Sequence, residues 1–382
     1  MSMRIVALGL VAAGAIALGS TLFAQNSPSQ FVVSGKAAEQ IQDFTTINLA
    51  TAERIAEACE KLAAAQGVAI SIIVLDNDGN HVYMDRMDGQ GYLNIITAEM
   101  KARTALMGRE PSKNRMNRVT QDPTQELQLI QLGFFPNSGG LPITVNKQLI
   151  GVVGVGGSAP RVPVWSDEIC AHKALTEVIG PSVPPLVQDL PPRQNPNPGN
   201  APVPRFVATT PPKSSLPAEF VINAKAATNV FDGNQLSLAT AKKIARVCRD
   251  WAAAKGGGMS LYIINTAGEF VHMERMDGQV FNNIRTAMLK AQTSLKTRQP
   301  TSIRAAQLRN DPSGLPRSTV QFELFTNSGG IPVVVDGEMV GAIGVGGGAG
   351  GGGDENCAIE GLKATFGDHV TLPVYPAATA AR

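Results

Sequence analysis

The sequence predicts a mixed α/β (α+β) fold, an antiparallel sheet flanked by helices that is built twice in tandem. Short motifs recur at a nearly constant offset, which indicates a duplicated domain. Within each repeat, helical and strand periodicities alternate, and the strands come in hairpins, which favour an antiparallel sheet. The 382 residues, 43% of them hydrophobic and 17% charged, suffice for two cores and exclude a wholly disordered chain or a coiled coil.

The repeat is defined by motifs that keep their order. LATAERIAEAC at Leu49–Cys59 returns as LATAKKIARVC at Leu238–Cys248, and RMDGQ at 86–90 returns at 275–279, both at an offset of 189 residues. Farther along, NSGG and GVVGVGG in copy 1 return as NSGG and GAIGVGG in copy 2, both at an offset of 190. One domain has therefore been copied.

Composition divides the chain into four segments. The first combines one arginine with an apolar stretch of 14 residues, which is typical of a secretory signal peptide and short for a membrane span. Between the copies, 12 of the chain's 25 prolines fall within 37 residues, which favours an extended linker. The predicted segments are a signal peptide at 1–24, domain 1 at 30–180, a proline-rich linker at 181–218 and domain 2 at 219–369. We expect a periplasmic or secreted protein without a membrane span after signal removal.

Within copy 1, residue spacing predicts each element in order. Apolar residues at helical intervals predict the first helix, with Asn48 as its cap. Runs rich in β-branched residues around turn sequences predict two hairpins. The expected elements are a helix from Leu49, strands Val68–Leu75 and His81–Met87, a helix at Ile95–Met107, a polar connection containing Pro111 and Pro123, strands Leu141–Val145 and Leu149–Val155, and a helix from Asp167. The linker is long enough to join the copies in many arrangements, so the two copies need not touch each other.

The four cysteines occupy equivalent positions in the two copies. Cys59 and Cys248 lie in the first helix of each copy, and Cys170 and Cys357 lie in the last. Two equivalent cysteines per copy in an exported chain indicate disulfides. We predict Cys59–Cys170 and Cys248–Cys357, with bridges between the copies as the alternative.

Several classes of function are disfavoured by the sequence. The 33 basic and 31 acidic residues give a formal net charge of +2 without a basic run, so we expect no nucleic-acid partner. Four histidines make a multi-histidine metal site improbable, and no metal site is predicted. The glycine run at Gly344–Gly353 lacks the G-K-[ST] ending of a phosphate loop. No catalytic residues are predicted, because no paired carboxylates or nucleophile motif stand out.

The ordered motifs L-A-T-A-x-x-I, R-M-D-G, K-A-x-T, G-G-[LI]-P-[IV], G-V-G-G and D-E-x-C-A resemble those of the GlcG/HbpS (DUF336) family, over nearly the whole of both copies. The resemblance implies a profilin-like domain with a five-stranded antiparallel sheet flanked by helices. It also implies assembly, as a homo-oligomer or as a pseudo-dimer of the two copies. Several members of the family bind haem or related tetrapyrroles, and the resemblance implies such a ligand for this protein.

Polar residues of the motifs are the candidate ligand contacts. An arginine at a strand end can bind a carboxylate through two hydrogen bonds, although pairing with aspartate beside a glycine turn would explain the same residue. The resemblance implies that the K-A-x-T stretch borders the ligand pocket, with a capped and solvated helix face as the alternative. The candidates are Arg86, Lys101 and Thr104 of copy 1 and Arg275, Lys290 and Thr293 of copy 2.

Three further residues are candidate axial ligands to haem iron: His81, His272 and Tyr83. His272 aligns with Tyr83, two positions from His81, so we expect the two histidines to point to the same face of the sheet. Ordinary packing or surface roles are the alternative. His172 and His369 have no partner in the other copy and are assigned no role.

These observations favour an exported, non-enzymatic protein that binds haem, a related tetrapyrrole or a small acidic ligand. One alternative is a cofactor-independent enzyme that acts on a small hydroxy or oxo acid, with Arg86 and Lys101 or their copy 2 equivalents in the site. Another is an accessory or structural subunit of a periplasmic complex.

Overall fold

The described part of this computed structural model comprises residues 31–35, 37, 45–122, 124–158, 164–188, 190, 212–230, 232–310, 319–348 and 353–375. The predicted signal peptide and most of the proline-rich linker lie outside these residues. None of the helices described is long and apolar enough to cross a membrane.

Copy 1 follows the predicted order of helices and hairpins. The cap of the first helix is confirmed, because Asn48 Oδ1 accepts a hydrogen bond from the Thr51 amide at 2.8 Å. The elements are α1 (Leu49–Ala65), β1 (Ser71–Asp76), β2 (His81–Arg86), α2 (Leu93–Gly108), α3 (Ser112–Gln121), α4 (Gln125–Gln131), β3 (Gly140–Val145), β4 (Gln148–Gly156) and α5 (Asp167–Val178).

Copy 2 repeats this order except for α4, whose counterpart lies partly outside the described residues. It adds a short 3₁₀ helix at Ala224–Asn229 before its first α-helix and another at Gly367–His369 after its last. Its elements are α6 (Leu238–Ala254), β5 (Ser260–Asn265), β6 (Phe270–Arg275), α7 (Phe281–Thr297), α8 (Thr301–Asn310), β7 (Gly330–Val335), β8 (Glu338–Gly346) and α9 (Gly353–Phe366).

The expected polar connection of copy 1 is helical instead. It forms α3, which begins directly after Pro111, and α4. A proline is compatible with the start of a helix, because the first amides of a helix have no partner within it. Proline and polar composition therefore led to the wrong prediction for this stretch.

The sheet has eight strands and is shared, rather than five strands in each copy. Its order is β3-β4-β1-β2-β6-β5-β8-β7, so each copy supplies four strands and the copies join through β2 and β6. These two strands pair antiparallel, with Tyr83 opposite Glu274 and Asp85 opposite His272. In the described part of the segment before α1, Val32 and Ile47 form an isolated bridge. The expectation of five strands is wrong because the inner edge of each copy pairs with the other copy.

Helices cover both faces of the shared sheet. Alternate residues of β1 point to opposite sides: Ile72 and Val74 pack in the core with α1 and α5, whereas Ile73 and Leu75 pack beneath α2. In copy 2, α6 and α9 lie on the first face and α7 on the second. Each copy therefore places two helices on one face and one long helix on the other.

Both predicted disulfides are present. Cys59 bonds to Cys170 with their Cα atoms 5.2 Å apart, and Cys248 bonds to Cys357 with theirs 4.7 Å apart. Each bridge joins the first helix of a copy to its last.

Candidate functional site

The arginines of the two R-M-D-G motifs hold the copies together. Arg86 Nε donates to the Phe270 carbonyl at 2.7 Å, and Arg275 Nε donates to the His81 carbonyl at 2.8 Å. Each guanidinium also donates to the carbonyl of the glutamine four residues later. Each motif arginine therefore ties the end of its own strand to the start of the strand from the other copy.

The aspartates of the same motifs also reach across the junction. Asp88 Oδ1 accepts from the Leu238 amide at the start of α6, and Asp277 Oδ1 accepts from the Leu49 amide at the start of α1, both at 2.7 Å. A carboxylate at a helix N-terminus is stabilised by the unpaired amides and by the helix dipole. Burial raises the pKa of Asp88, and this hydrogen bond opposes the rise.

Buried charges cluster beneath α1 and α6, where β2 meets β6. Lys242 Nζ lies 2.6 Å from Glu60 Oε2 and 2.8 Å from Asp85 Oδ2. Asp85 is fully buried, and its other oxygen lies 2.6 Å from His272 Nδ1. On the other side of the junction, Arg249 Nη1 lies 2.9 Å from Glu53 and 3.2 Å from Glu274.

These contacts shift the titration of the clustered groups. Burial lowers the pKa of His272, but the charge of Asp85 and the hydrogen bond to it outweigh burial and raise the pKa to about 9. Burial together with the charge of Asp85 raises the pKa of Glu60 to about 9. Burial also raises the pKa of Asp85, yet Lys242 and His272 outweigh it and lower the pKa to about 2. At neutral pH, His272 is therefore charged and Glu60 is protonated.

The two candidate lysines are buried against aspartates. Lys101 Nζ donates to Asp167 Oδ2 at 2.7 Å and to the Val155 carbonyl at 3.0 Å. Lys290 makes the same contacts with Asp354 and the Val345 carbonyl, both at 2.7 Å. These ion pairs fix α2 and α7 to the first turns of α5 and α9. The structure thus gives both lysines protein partners, and their contact with a ligand stays a prediction.

The threonines of K-A-x-T are fully buried as well. Thr104 Oγ1 accepts from the Phe135 amide at 2.7 Å, and Thr293 Oγ1 accepts from the Phe325 amide at 2.7 Å. They anchor the segments that lead into β3 and β7. A contact between these hydroxyls and a ligand also remains a prediction.

His81 and His272 lie on opposite faces of the sheet, contrary to expectation. His272 is 1% exposed in the charge cluster beneath α1 and α6, next to Tyr83. His81 faces α2 and α7 instead. The cause is a β-bulge: Val74 pairs with Tyr83 but Leu75 pairs with His81, which leaves Val82 as an extra residue. One extra residue reverses the face to which a strand's side chains point.

A groove between α2 and α7 receives His81. This helix groove has a volume of about 220 Å³ and is mainly apolar and aromatic. Copy 1 contributes His81, Met84 and Glu99, and copy 2 contributes Tyr262, Phe281, Ile284, Arg285 and Met288. Because both copies line it at their junction, the helix groove is one site per chain rather than one per copy.

Glu99 orients the imidazole of His81 within the helix groove. Glu99 Oε1 lies 3.3 Å from His81 Nε2 and 2.7 Å from Arg103 Nη2, and the Phe281 ring stacks on the imidazole with ring centres 6.2 Å apart. Burial raises the pKa of Glu99, but the hydrogen bonds and charges of His81 and Arg103 outweigh it and lower the pKa to about 2. A carboxylate at Nε2 favours the tautomer that leaves the lone pair on Nδ1.

A second cavity, here called the hairpin cavity, lies at the end of β2 that carries Arg86. Its volume is about 440 Å³, and it shares no lining residue with the helix groove. Copy 1 lines it with Arg86, Gln90, Gly91 and Tyr92, and copy 2 with Asn229, Val230, Asp232, Gln235, Thr266, Ala267 and Glu269. Among the described residues, no group of three or more His, Cys, Asp or Glu side chains is placed to hold a metal ion.

Sequence reasoning identified His81 of the helix groove and Arg86 of the hairpin cavity but missed the other residues that line the helix groove. The motifs are positions that the copies share, whereas most residues of the helix groove differ between the copies. His81 aligns with Phe270, Glu99 with Met288, and Arg285 with Ile96, each at the offset of 189. Positions that break the repeat were therefore the available signal.

Comparison with known proteins places both copies in one family. Residues 47–176 and 236–363 each match the family described as "Haem degrading protein HbpS-like". An uncharacterised 15.0 kDa protein of Citrobacter freundii is 33% identical over 138 residues, which are 35% of this chain and 93% of that protein. Protein GlcG of Escherichia coli K12 is 32% identical over 104 residues, 27% of this chain and 76% of that protein.

Among solved structures, the PduOC–haem complex is 21% identical with a TM-score of 0.32, and the match covers 36% of this chain and 98% of that one. The family assignment rests on the two matched regions, which together span more than half of the chain. The chain therefore belongs to the HbpS-like family, present as two fused copies.

Proposed function

We propose that this protein binds haem or a related tetrapyrrole in the helix groove, where His81 would hold the metal. The observation that carries the proposal is the position of His81. It is the histidine that lines a described cavity, whereas His272 is buried against Asp85, His369 bonds to Asp336, and His172 lies on α5. The name of the family supports haem as the ligand.

The residues of the helix groove fit a planar, anionic macrocycle. Phe281 and Tyr262 offer aromatic surface, and the thioethers of Met84 and Met288 suit soft metals as well as apolar rings. Arg285 provides a cation for a carboxylate substituent. The volume of about 220 Å³ is below the ~300 to 1,000 Å³ of pockets that enclose a ligand, so the groove would hold one part of the ring and leave the rest exposed.

His81 is prepared for a metal by its partner. Because Glu99 holds Nε2, the ring would offer Nδ1, and a carboxylate on the other ring nitrogen is the usual companion of a metal-bound histidine. Bound haem would supply a redox-active iron, and the chain's own residues would set its orientation and its access to water.

Titration of the purified protein with hemin tests the proposal through the Soret band. We expect a saturable shift at one hemin per chain. His81→Phe, which places the copy 2 residue in copy 1, should weaken hemin binding about tenfold or more, while His172→Ala should leave it unchanged. A wild-type protein without a Soret shift removes haem from the account. An unchanged titration in His81→Phe removes the helix groove.

We also propose that the protein is exported. Two disulfides per chain support this, because such bonds persist in oxidising compartments. A reporter that is active only outside the cytoplasm should be active when it is fused behind residues 1–24. The same reporter fused to the chain that begins at residue 30, without this segment, should be inactive. Equal activity of the two fusions would contradict export by this segment.

A further inference from the structure

We propose that the hairpin cavity binds a small amino carboxylate, such as an α-amino acid, whose carboxylate contacts Arg86 and whose ammonium group contacts Glu269 or Asp232. The inference is independent of haem binding, because the hairpin cavity and the helix groove have no lining residue in common.

The repeat itself provides the reference for Arg86. Its equivalent, Arg275, donates from Nη2 to Asp76 Oδ2 at 2.8 Å, and Asp76 is 4% exposed. Asp76 accepts in addition from the amides of Asp78 and Asn80, so it closes the β1–β2 turn and neutralises Arg275. In copy 1, therefore, the turn supplies the carboxylate that the arginine of copy 2 requires.

The corresponding turn of copy 2 does not offer Arg86 a buried carboxylate. Asn265 stands where copy 1 has Asp76, and it closes the β5–β6 turn with its amide oxygen. The carboxylate has moved to Glu269, the position of Asn80, where it lies 3.5 Å from Arg86 Nη2 and is 37% exposed. Arg86 thus has a distant and solvated counter-charge in place of a buried one.

This exchange leaves Arg86 with capacity for a ligand. The residue is 9% exposed, and burial lowers its pKa, a shift that the charges of Glu269 and Asp88 oppose. Its Nε and Nη1 donate to protein carbonyls, so Nη2 is the group with the long contact. A ligand carboxylate at Nη2 would restore the charge-assisted contact that Asp76 gives Arg275.

The remaining lining selects the class of ligand. The cavity volume of about 440 Å³ is within the ~300 to 1,000 Å³ typical of small-molecule pockets. Its ionisable lining includes one cation, Arg86, and two carboxylates, Glu269 and Asp232. A dicarboxylate would add repulsion to this net negative lining, whereas a zwitterion matches both signs. Asn229 and Gln235 bring amide groups that can bind a polar side chain of the ligand.

Exchange of one turn tests the proposal in the full chain. Asn265→Asp combined with Glu269→Asn gives copy 2 the turn residues of copy 1, so the carboxylate introduced by Asn265→Asp should occupy Arg86 as Asp76 occupies Arg275. We would screen the twenty standard amino acids by thermal shift and measure hits by calorimetry, with acetate and methylamine as half-ligand controls. We expect at least one amino acid to bind wild type with a Kd below about 1 mM, and the turn exchange to weaken it about tenfold or more.

Two controls separate this inference from the proposed function and from misfolding. Asp76→Asn changes the reference turn and should leave amino-acid binding unchanged. The turn-exchange variant should retain the hemin titration of wild type, since the helix groove is untouched. The inference is overturned if no amino acid binds wild type with a Kd below about 1 mM, if acetate alone binds equally well, or if binding survives the turn exchange.

Discussion

The two copies share a scaffold but differ where they meet, since α1 carries acidic residues at positions where α6 carries basic ones. Glu53 and Glu60 of α1 align with Lys242 and Arg249 of α6, and each acid contacts the base of the other pair. A symmetric pair made of copy 1 alone would place acid against acid, and a pair of copy 2 alone would place base against base. Each copy is therefore complementary to the other copy rather than to itself, since like side chains at a junction oppose self-pairing.

Removal of the disulfides is expected to cause the largest loss of stability in the shared scaffold. Each closes a loop of about the same size, with sequence separations of 111 and 109 residues. We expect Cys59→Ala with Cys170→Ala to lower the free energy of unfolding by about 4–5 kcal/mol, and the equivalent pair in copy 2 to cost the same within about 1 kcal/mol.

Each copy carries its own fluorophore for this measurement. Trp165 lies in copy 1 and Trp251 in copy 2, and the chain has two tryptophans in total. Urea unfolding followed by tryptophan fluorescence therefore reports copy 1 in a Trp251→Phe background and copy 2 in a Trp165→Phe background. Clearly unequal losses would show that the scaffolds are not energetically equivalent.

A medium effect is expected where the copies differ, in the buried charge cluster. Lys242→Met removes the hydrogen-bond partner of Glu60 and one of the two cations of the fully buried Asp85, whose other cation is His272, and should cost about 3 kcal/mol. Urea unfolding measures the loss. Adding Glu60→Gln replaces the buried carboxyl group that has lost its partner, while Asp85 keeps His272, and should recover part of the loss. Failure to recover would show that Lys242 acts through packing instead.

The smallest change per step of the experiment, on the order of 1 kcal/mol per pH unit for each group, is the pH dependence of stability. The pKa of His272 is raised to about 9 in the folded chain, so its contribution is complete below about 6.5 and is lost as the pH rises through 9. Glu60, raised to about 9 from 4.5, acts in the same direction over a wider range. Urea unfolding between about pH 6 and 9.5 should thus show falling stability.

His272→Tyr gives copy 2 the residue of copy 1 and serves as the comparison. The variant should flatten the decline between about pH 6.5 and 9, whatever its stability at lower pH. An equally steep decline in His272→Tyr would assign the pH dependence to other groups.

Local patterns predicted much of each copy. The cap at Asn48, the hairpins and the cysteine pairs follow from periodicity, turn residues and equivalence of position. The helices after Pro111 were missed because few apolar residues mark them, and their formation depends on the surrounding structure. The family and its duplication were also visible, since shared motifs are what a repeat preserves.

The candidate site was only partly predictable, and the reason is the junction. A domain considered alone shows Arg86 and Asp88 as polar residues at a strand end, with no sign that their partners are in the other copy. The bulge at Val82 likewise depends on pairing between strands and cannot be read from alternation. Because the helix groove arises where the copies meet, it had no motif of its own.

Joining β2 to β6 also bears on the solubility of the protein. The pairing removes two of the four strand edges that separate copies would expose, and β3 and β7 remain as the outer strands of the described sheet. Each of these carries a proline, Pro142 or Pro332, which has no amide to offer an incoming strand. In addition, Ser182 Oγ donates to the Thr144 carbonyl of β3, and the Thr371 amide donates to the Val334 carbonyl of β7. Fusion of the copies thereby makes the sheet a poor template for edge-to-edge aggregation.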